Sequence, residues 1–349
     1  MKSITRICFK LFRLPLSSLQ FILRCMLALT LSVYRTTVRL LLRDWMLRLA
    51  SPLVRLLIAG FEFLLILNFR LSNLSSRKIS LNGGGTVMHF WVPTKLKPGQ
   101  PTLILIHGFG GSSLWQFFIQ VWHLSRRVNL YVLDLLFFGD SYSDETDRCD
   151  DFQARCVVEG MKKLGENRFN VAGISYGGYV TYKIGEMYPN EVEKIVIVSS
   201  GICYTEEQKN EHLEKLGKSP KDFLVPQNPQ DLRHLLDLSM YRANWLKMLP
   251  GFFLQHALDA VLKENGKQKK EILEYLINRE PVPEHGNLSR ETLIIWGDKD
   301  SVFPVKYAYE LQRHLEPKAK VQVINGAGHA LNFDAPIVMN NHIISFLQN

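Results

Sequence analysis

The run Val171-Ala172-Gly173-Ile174-Ser175-Tyr176-Gly177-Gly178 constrains this chain more than any other stretch. An apolar segment leads into it and a helical pattern, Tyr179 to Tyr188, leaves it, so a strand must become a helix through a tight turn. On a strand–turn–helix the spacing G-x-S-x-G makes a nucleophile elbow, in which the serine takes strained backbone and its hydroxyl stands clear of the sheet. Glycine is needed on either side because a Cβ there would meet the neighbouring strand and helix. Taken alone, five letters also fit an ordinary Gly-rich turn, and the rest of the chain has to decide.

The surrounding pattern is repetitive. Thr102 to Ile106 and Leu130 to Leu133 are continuous apolar runs, as expected of strands buried on both faces. Ile195 to Val198, Thr292 to Trp296 and Val321 to Ile324 read as further strands, and Val87 to Val92 alternates as one. Helical patterns lie between them, at Trp115 to Leu124, from about Asp151 to Leu164, and in a closing helix from Pro336 to Leu347. Strands alternating with helices predict an α/β fold with a mostly parallel, doubly wound sheet. The polar, Gly-rich stretch 71–85 reads as the boundary and first hairpin of a domain spanning 71–349. Residues 202–289 break the rhythm with mostly helical patterns, and read as a helical lid inserted into that domain. Their apolar section contains Trp245 and Phe252, candidates for lining a substrate pocket, although packing of the lid onto the body is the favoured account of most such side chains.

A serine hydroxyl needs a base to take its proton, and the base needs an acid to orient it. His329 follows the last strand on the Gly-rich loop Gly326-Ala327-Gly328, and Asp300 follows the strand before it. The order Ser175, Asp300, His329, each just past a strand, predicts a catalytic triad in the crevice at the strand ends. Asp298 competes for the role of acid. Asp300 stands farther beyond its strand and is preferred, which leaves Asp298 to hold the turn. The negative charge of a tetrahedral intermediate calls for two preorganised N–H groups. Tyr176, next to the serine, supplies one, and Phe109 in His107-Gly108-Phe109-Gly110 the other, with Gly108 and Gly110 letting the backbone approach the substrate. His107 is expected to hold that loop by side-chain hydrogen bonds.

From about residue 78 onward, these motifs resemble the α/β-hydrolase fold superfamily. Gly85-Thr86-Val87-Met88-His89-Phe90-Trp91-Val92-Pro93 and Asp134-Leu135-Leu136-Phe137-Phe138-Gly139-Asp140-Ser141-Tyr142-Ser143 look like a plant group of serine hydrolases. That group is similar to monoacylglycerol lipases and to bacterial hydrolases of ring-fission products. The resemblance implies Ser175 as nucleophile, Asp300 as acid and His329 as base. Serine at the elbow argues against epoxide hydrolase or dehalogenase chemistry, which uses aspartate there. The expected reaction is hydrolysis of a lipophilic carboxylic ester, such as an acylglycerol, through an acyl-enzyme. The alternatives are carbon–carbon bond hydrolysis of diketone-type substrates by the same triad, and a ligand receptor with little turnover. No cofactor or metal is expected: the phosphate-binding glycine spacings are missing, and no Cys/His cluster has ligand spacing.

The N-terminal segment is of a different kind. The chain carries a net charge of +9, and residues 1–70 hold eleven Lys/Arg against Asp44 and Glu62, so the rest is neutral overall. The basic residues from Lys2 to Arg43 fall within an arc of roughly 140° on a helical wheel, with Leu, Ile, Phe, Met and Val opposite. A basic amphipathic helix of this kind predicts association with a membrane surface, and an organellar transit peptide or a helix packed on the domain would share its features. Charge confined to this segment gives no reason to expect a nucleic-acid partner. Five cysteines without framework spacing suit a reducing compartment, hence a cytosol-facing membrane location, with chloroplast or mitochondrion as the organellar alternative.

Overall fold

In a computed structural model, the described residues are 56–349, apart from 204, 217–223, 243–247, 260–264 and 280–287. Most of the basic N-terminal segment and Trp245 therefore lie outside them. Among the described residues no helix is long and apolar enough to cross a membrane.

The continuous apolar runs form the centre of one sheet. Helix α1 (residues 56–71) leads into β1 (Leu74–Leu81) and β2 (Thr86–Pro93). Next come β3 (Thr102–Ile106), α2 (Ser113–Leu124), β4 (Asn129–Leu133), the two-residue β5 (Tyr142–Ser143) and α3 (Asp150–Lys163). Then follow β6 (Phe169–Ile174), α4 (Tyr176–Met187) and β7 (Val192–Val198). The interruption of the rhythm is an insertion of helices: α5 (Glu206–Leu216), α6 (Pro229–Ser239), α7 (Gly251–Ala257) and α8 (Gly266–Asn278). The pattern resumes with β8 (Thr292–Gly297), α9 (Lys306–Leu315), β9 (Ala319–Ile324), α10 (Leu331–Asp334) and α11 (Pro336–Gln348).

The strand order is β1-β2-β4-β3-β6-β7-β8-β9, with β5 beside β2. Pairing is antiparallel at β1–β2 and β2–β4 and parallel from β4 through β9. Parallel strands need helical crossovers, which cover both faces and explain the unbroken apolar runs. One face buries Phe138, Val157, Tyr182 and Trp296, and the other Leu103, Phe117, Val196 and Ile343.

The structure fills in one stretch read from its letters and departs from another. The hairpin expected in 71–85 is formed by Leu74–Leu81, an edge strand with half of its residues open to solvent, held by its backbone register with β2. Packing also begins before the polar boundary, because the compact unit starts at Ile58. Leu65 and Phe69 of α1 are buried, Phe69 with its ring 4.8 Å from that of Trp91.

Candidate active site

The elbow forms where β6 ends. Ser175 holds φ 54° and ψ −117°, a backbone conformation that costs a non-glycine residue about 1–3 kcal/mol. Neighbouring bonds hold it there. Its N–H donates to Val198 O at 2.9 Å, and its carbonyl accepts from Gly178 N–H and the Ser200 hydroxyl, both at 2.8 Å. Helix α4 starts at the next residue. A Cβ on Gly173 would strike Gly177 O and Thr181 Oγ1, and one on Gly177 would strike the carbonyl of Ile106, so both flanking positions require glycine.

The carboxyl ends of β6, β8 and β9 bring Ser175, Asp300 and His329 together. His329 Nε2 lies 3.0 Å from Ser175 Oγ, and His329 Nδ1 lies 2.9 Å from Asp300 Oδ2. Asp300 and His329 are buried, whereas Ser175 is half-buried, open to an incoming group. The second carboxylate oxygen of Asp300 accepts the N–H groups of Val302 and Phe303 at 2.9 and 2.8 Å, which fixes the rotation of the carboxylate. The Phe303 ring stands edge-on to His329 at 5.5 Å. Asp298 is engaged elsewhere: its Oδ1 accepts the Gly326 N–H at 2.6 Å and its Oδ2 pairs with Lys299 at 3.2 Å. Burial works to raise the Asp298 pKa, but the Gly326 N–H and the Lys299 ammonium outweigh it and hold the carboxyl below its usual range.

The loop after β3 lies directly over the serine. A Cβ on Gly108 would sit 3.3 Å from Ser175 Cβ and 3.3 Å from Ile174 O. Gly108 N–H donates to Gln116 Oε1 at 2.6 Å, and Gly110 turns the loop with φ 80°. The N–H groups of Phe109 and Tyr176 have no acceptor among the described residues. The Phe109 ring packs on Phe138 and Tyr176, at 5.6 and 6.3 Å between centroids. His107 braces this loop from below. Its Nδ1–H donates to Gly108 O at 2.8 Å, and its Nε2 accepts from Leu135 N–H at 3.0 Å. Full burial pushes the His107 pKa down, and the nearby Asp134 carboxylate offsets this only in part, so the ring is neutral. That suits an imidazole using one nitrogen as donor and the other as acceptor.

Three supporting contacts have no counterpart in the local sequence signals. Buried Asp134 accepts His89 Nδ1–H at 2.8 Å and Ser113 N–H at 2.7 Å, tying β2 to the start of α2 just after the loop. Gln116 reaches back to the loop itself. Asp334 accepts Gly328 N–H at 2.8 Å beside His329, and also the N–H groups of Tyr241 and Arg242 at 2.8 Å from the inserted region. The insertion meets the histidine loop again where Ala330 N–H donates to Ser239 O at 2.7 Å. Phe252 stacks on Phe253 at 4.8 Å in α7, whose Leu254 packs with Leu232 and Leu258. Among the described residues, no group of three His, Cys, Asp or Glu side chains is arranged to hold a metal ion.

Comparison with known proteins agrees with this architecture. Monoacylglycerol lipase ABHD6 of Mus musculus is 25% identical over 264 residues, 72% of this chain and 77% of the mouse protein. The 2-hydroxy-6-oxononadienedioate/2-hydroxy-6-oxononatrienedioate hydrolase of Paraburkholderia phymatum is 24% identical and covers 78% of this chain and 96% of its own length. A solved bacterial membrane phospholipase A superposes with a TM-score of 0.72 at 23% identity, over 94% of this chain and 98% of the other. Residues 101–336, which span the loop after β3, the elbow and the strand-end Asp and His, match the alpha/beta hydrolase fold family, and the chain is a member of it, a hydrolase.

Proposed function

We propose that this chain is a serine hydrolase of lipophilic carboxylic esters, acylglycerols among them, working through an acyl-enzyme. The observation that carries the reading is the unbroken relay from Ser175 Oγ through His329 to Asp300, at 3.0 and 2.9 Å, on a serine held at positive φ. Ser175 Oγ attacks the ester carbonyl carbon while His329 Nε2 takes its proton. The carbonyl oxygen becomes an oxyanion under the Phe109 and Tyr176 N–H groups, which face it from the loop and from the N-terminus of α4. Collapse expels the alcohol, which takes the proton back from His329. A water then gives its proton to His329, attacks the acyl carbon, and releases the acid and Ser175. Asp300 stays ionised and accepts Nδ1–H throughout. The inserted helices act as a lid over the crevice. The basic N-terminal segment brings the enzyme to a membrane surface, where such esters reside.

A fluorophosphonate probe tests the reading on folded full-length protein. The wild type is expected to be labelled and Ser175→Ala not, with ester turnover falling about 10⁴–10⁶-fold in the variant. Folded wild type that resists the probe overturns it.

A second reading, carbon–carbon bond hydrolysis of an acidic diketone, is favoured by one specific feature. Buried Lys269 of α8 lies 5.3 Å from the Phe138 ring, which packs on both Phe109 and Tyr176. A carboxylate-bearing substrate needs a cation near that wall. Turnover of a ring-fission product, lost in Lys269→Met while ester turnover persists, separates the two.

A further inference from the structure

The outer face of α1 is apolar although it lies open. Its buried side holds Leu65 and Phe69, but Phe63, Leu64 and Leu71 on the outside are 64%, 57% and 62% exposed. Positions 60, 64, 67 and 71 form one stripe of Gly, Leu, Leu and Leu. Between residues 58 and 69 the one charged side chain is Glu62, which accepts the Trp115 indole N–H at 3.3 Å. A contiguous apolar face left open to water marks a surface that meets a partner or a membrane. The stripe continues onto α2, where Trp115 and Phe118 lie 5.3 and 6.3 Å from Phe61.

At the other end of α1 the apolar stripe runs into a basic cluster. Thr94 N–H donates to Asn73 O at 2.8 Å, which brings the loop 94–98 alongside, with Leu96 exposed at its tip. Lys97 Nζ bonds Ser125 O, joining that loop to the end of α2. There Trp122 stands exposed beneath the Arg126 guanidinium, 3.9 Å above its ring. Lys95 and Lys97 lie on this loop, Arg126 and Arg127 just beyond α2 and Arg70 in the last turn of α1, and residues 66–73, 93–100 and 119–130 contain no Asp or Glu.

We infer that this face of the catalytic domain docks on an anionic bilayer surface. Helix α1 lies along the interface with Phe63, Leu64, Leu67, Leu71 and Leu96 among the acyl chains, and the five cations meet lipid phosphates. Charge selects the occupant. A second copy of the chain would set five cations against five. Residues 1–55, with ten Lys/Arg and one acid, carry charge of the same sign. The inference extends the proposed membrane association of residues 1–70: a basic tail alone tethers a domain in any orientation, whereas this face sets one.

The full-length protein is bound to vesicles of phosphatidylcholine with about a third phosphatidylserine, carrying a phospholipid with a photoactivatable group in its acyl chain. Cross-linked residues are mapped by mass spectrometry. Lipid adducts are expected on Phe63, Leu64, Leu67, Leu71 or Leu96, and the double reversal Lys95→Glu/Arg126→Glu should lower both these adducts and vesicle affinity by at least about tenfold. Adducts confined to residues 1–55 overturn the inference while leaving membrane association intact. Protein that stays unbound, without adducts, removes both. Protein–protein cross-links from α1 to residues 1–55 or to a second copy also overturn it. Fluorophosphonate labelling of each variant in solution confirms that the domain is folded.

Discussion

Replacing Asp300 with asparagine tests the relay at its most constrained atom. Asp300 Oδ1 accepts two backbone N–H groups, from Val302 and Phe303, at 2.9 and 2.8 Å. An asparagine must place its carbonyl oxygen there, because its amide nitrogen would face two donors. The NH₂ group is then forced toward His329 Nδ1, the position where Asp300 Oδ2 now sits at 2.9 Å. A donor at that point obliges Nδ1 to accept, which moves the imidazole proton to Nε2, 3.0 Å from Ser175 Oγ. A protonated Nε2 cannot take the serine proton. The wrong-tautomer penalty is about 10⁴-fold in kcat, or roughly 5.5 kcal/mol of barrier. Asp298→Asn is the matched control. Its carbonyl keeps the bond from Gly326 N–H and loses only the pairing with Lys299, whose side chain is half exposed. Such a surface pair contributes about 0–1 kcal/mol, so activity should stay within about fivefold of wild type. The assay is kcat on a chromogenic short-chain ester at fixed pH, with circular dichroism and thermal melting on both variants. Folded Asp300→Asn with more than a tenth of wild-type kcat refutes the tautomer argument. A folded Asp298→Asn variant that loses 10³-fold would transfer the role of acid to Asp298.

Two further outcomes follow from the buried polar groups. His107 is neutral in the fold with its pKa below the usual 6.5, while in the unfolded chain it titrates normally, so the unfolded state binds more protons as the pH drops. Stability is complete above about pH 6.5 and falls on acidification below it, by at most roughly 1.4 kcal/mol per pH unit; His107→Gln should flatten thermal melts between pH 6.5 and 5, and an unchanged slope counts against the assignment. Asp334 joins Gly328 beside His329 to Tyr241 and Arg242 of the insertion. Asp334→Ala leaves the buried Gly328 N–H and the N–H groups of exposed Tyr241 and Arg242 without that acceptor, so it should lower the melting temperature, cost on the order of 1–3 kcal/mol, and reduce kcat by displacing His329; a variant with wild-type stability and kcat denies the coupling.

Much of this protein is legible without coordinates wherever the governing physics is local. Parallel strands buried on both faces must be apolar throughout, which is why β3, β4, β6 and β8 stand out in the letters. The elbow is equally plain, since only glycine fits against Gly177 O on one side and Ile106 O on the other. The order of Ser175, Asp300 and His329 follows from strand ends alone. The strand Leu74–Leu81 is legible only as part of the hairpin that the polar, Gly-rich stretch 71–85 announces, because an edge strand is held by backbone pairing and its side chains carry little apolar signal.

What tertiary structure decided is which atoms meet across the sequence. Asp300 and not Asp298 meets His329, through a 2.9 Å contact formed over a separation of 29 residues, although both aspartates follow the same strand. Asp134, Gln116 and Asp334 brace the site through bonds to backbone N–H groups, and any sequence supplies a backbone N–H, so no motif announces them. The apolar letters of α1 look alike in sequence. Only packing separates Phe69, buried against Trp91, from Leu64, exposed beside it, because burial is a property of what lies opposite a side chain and not of the side chain itself.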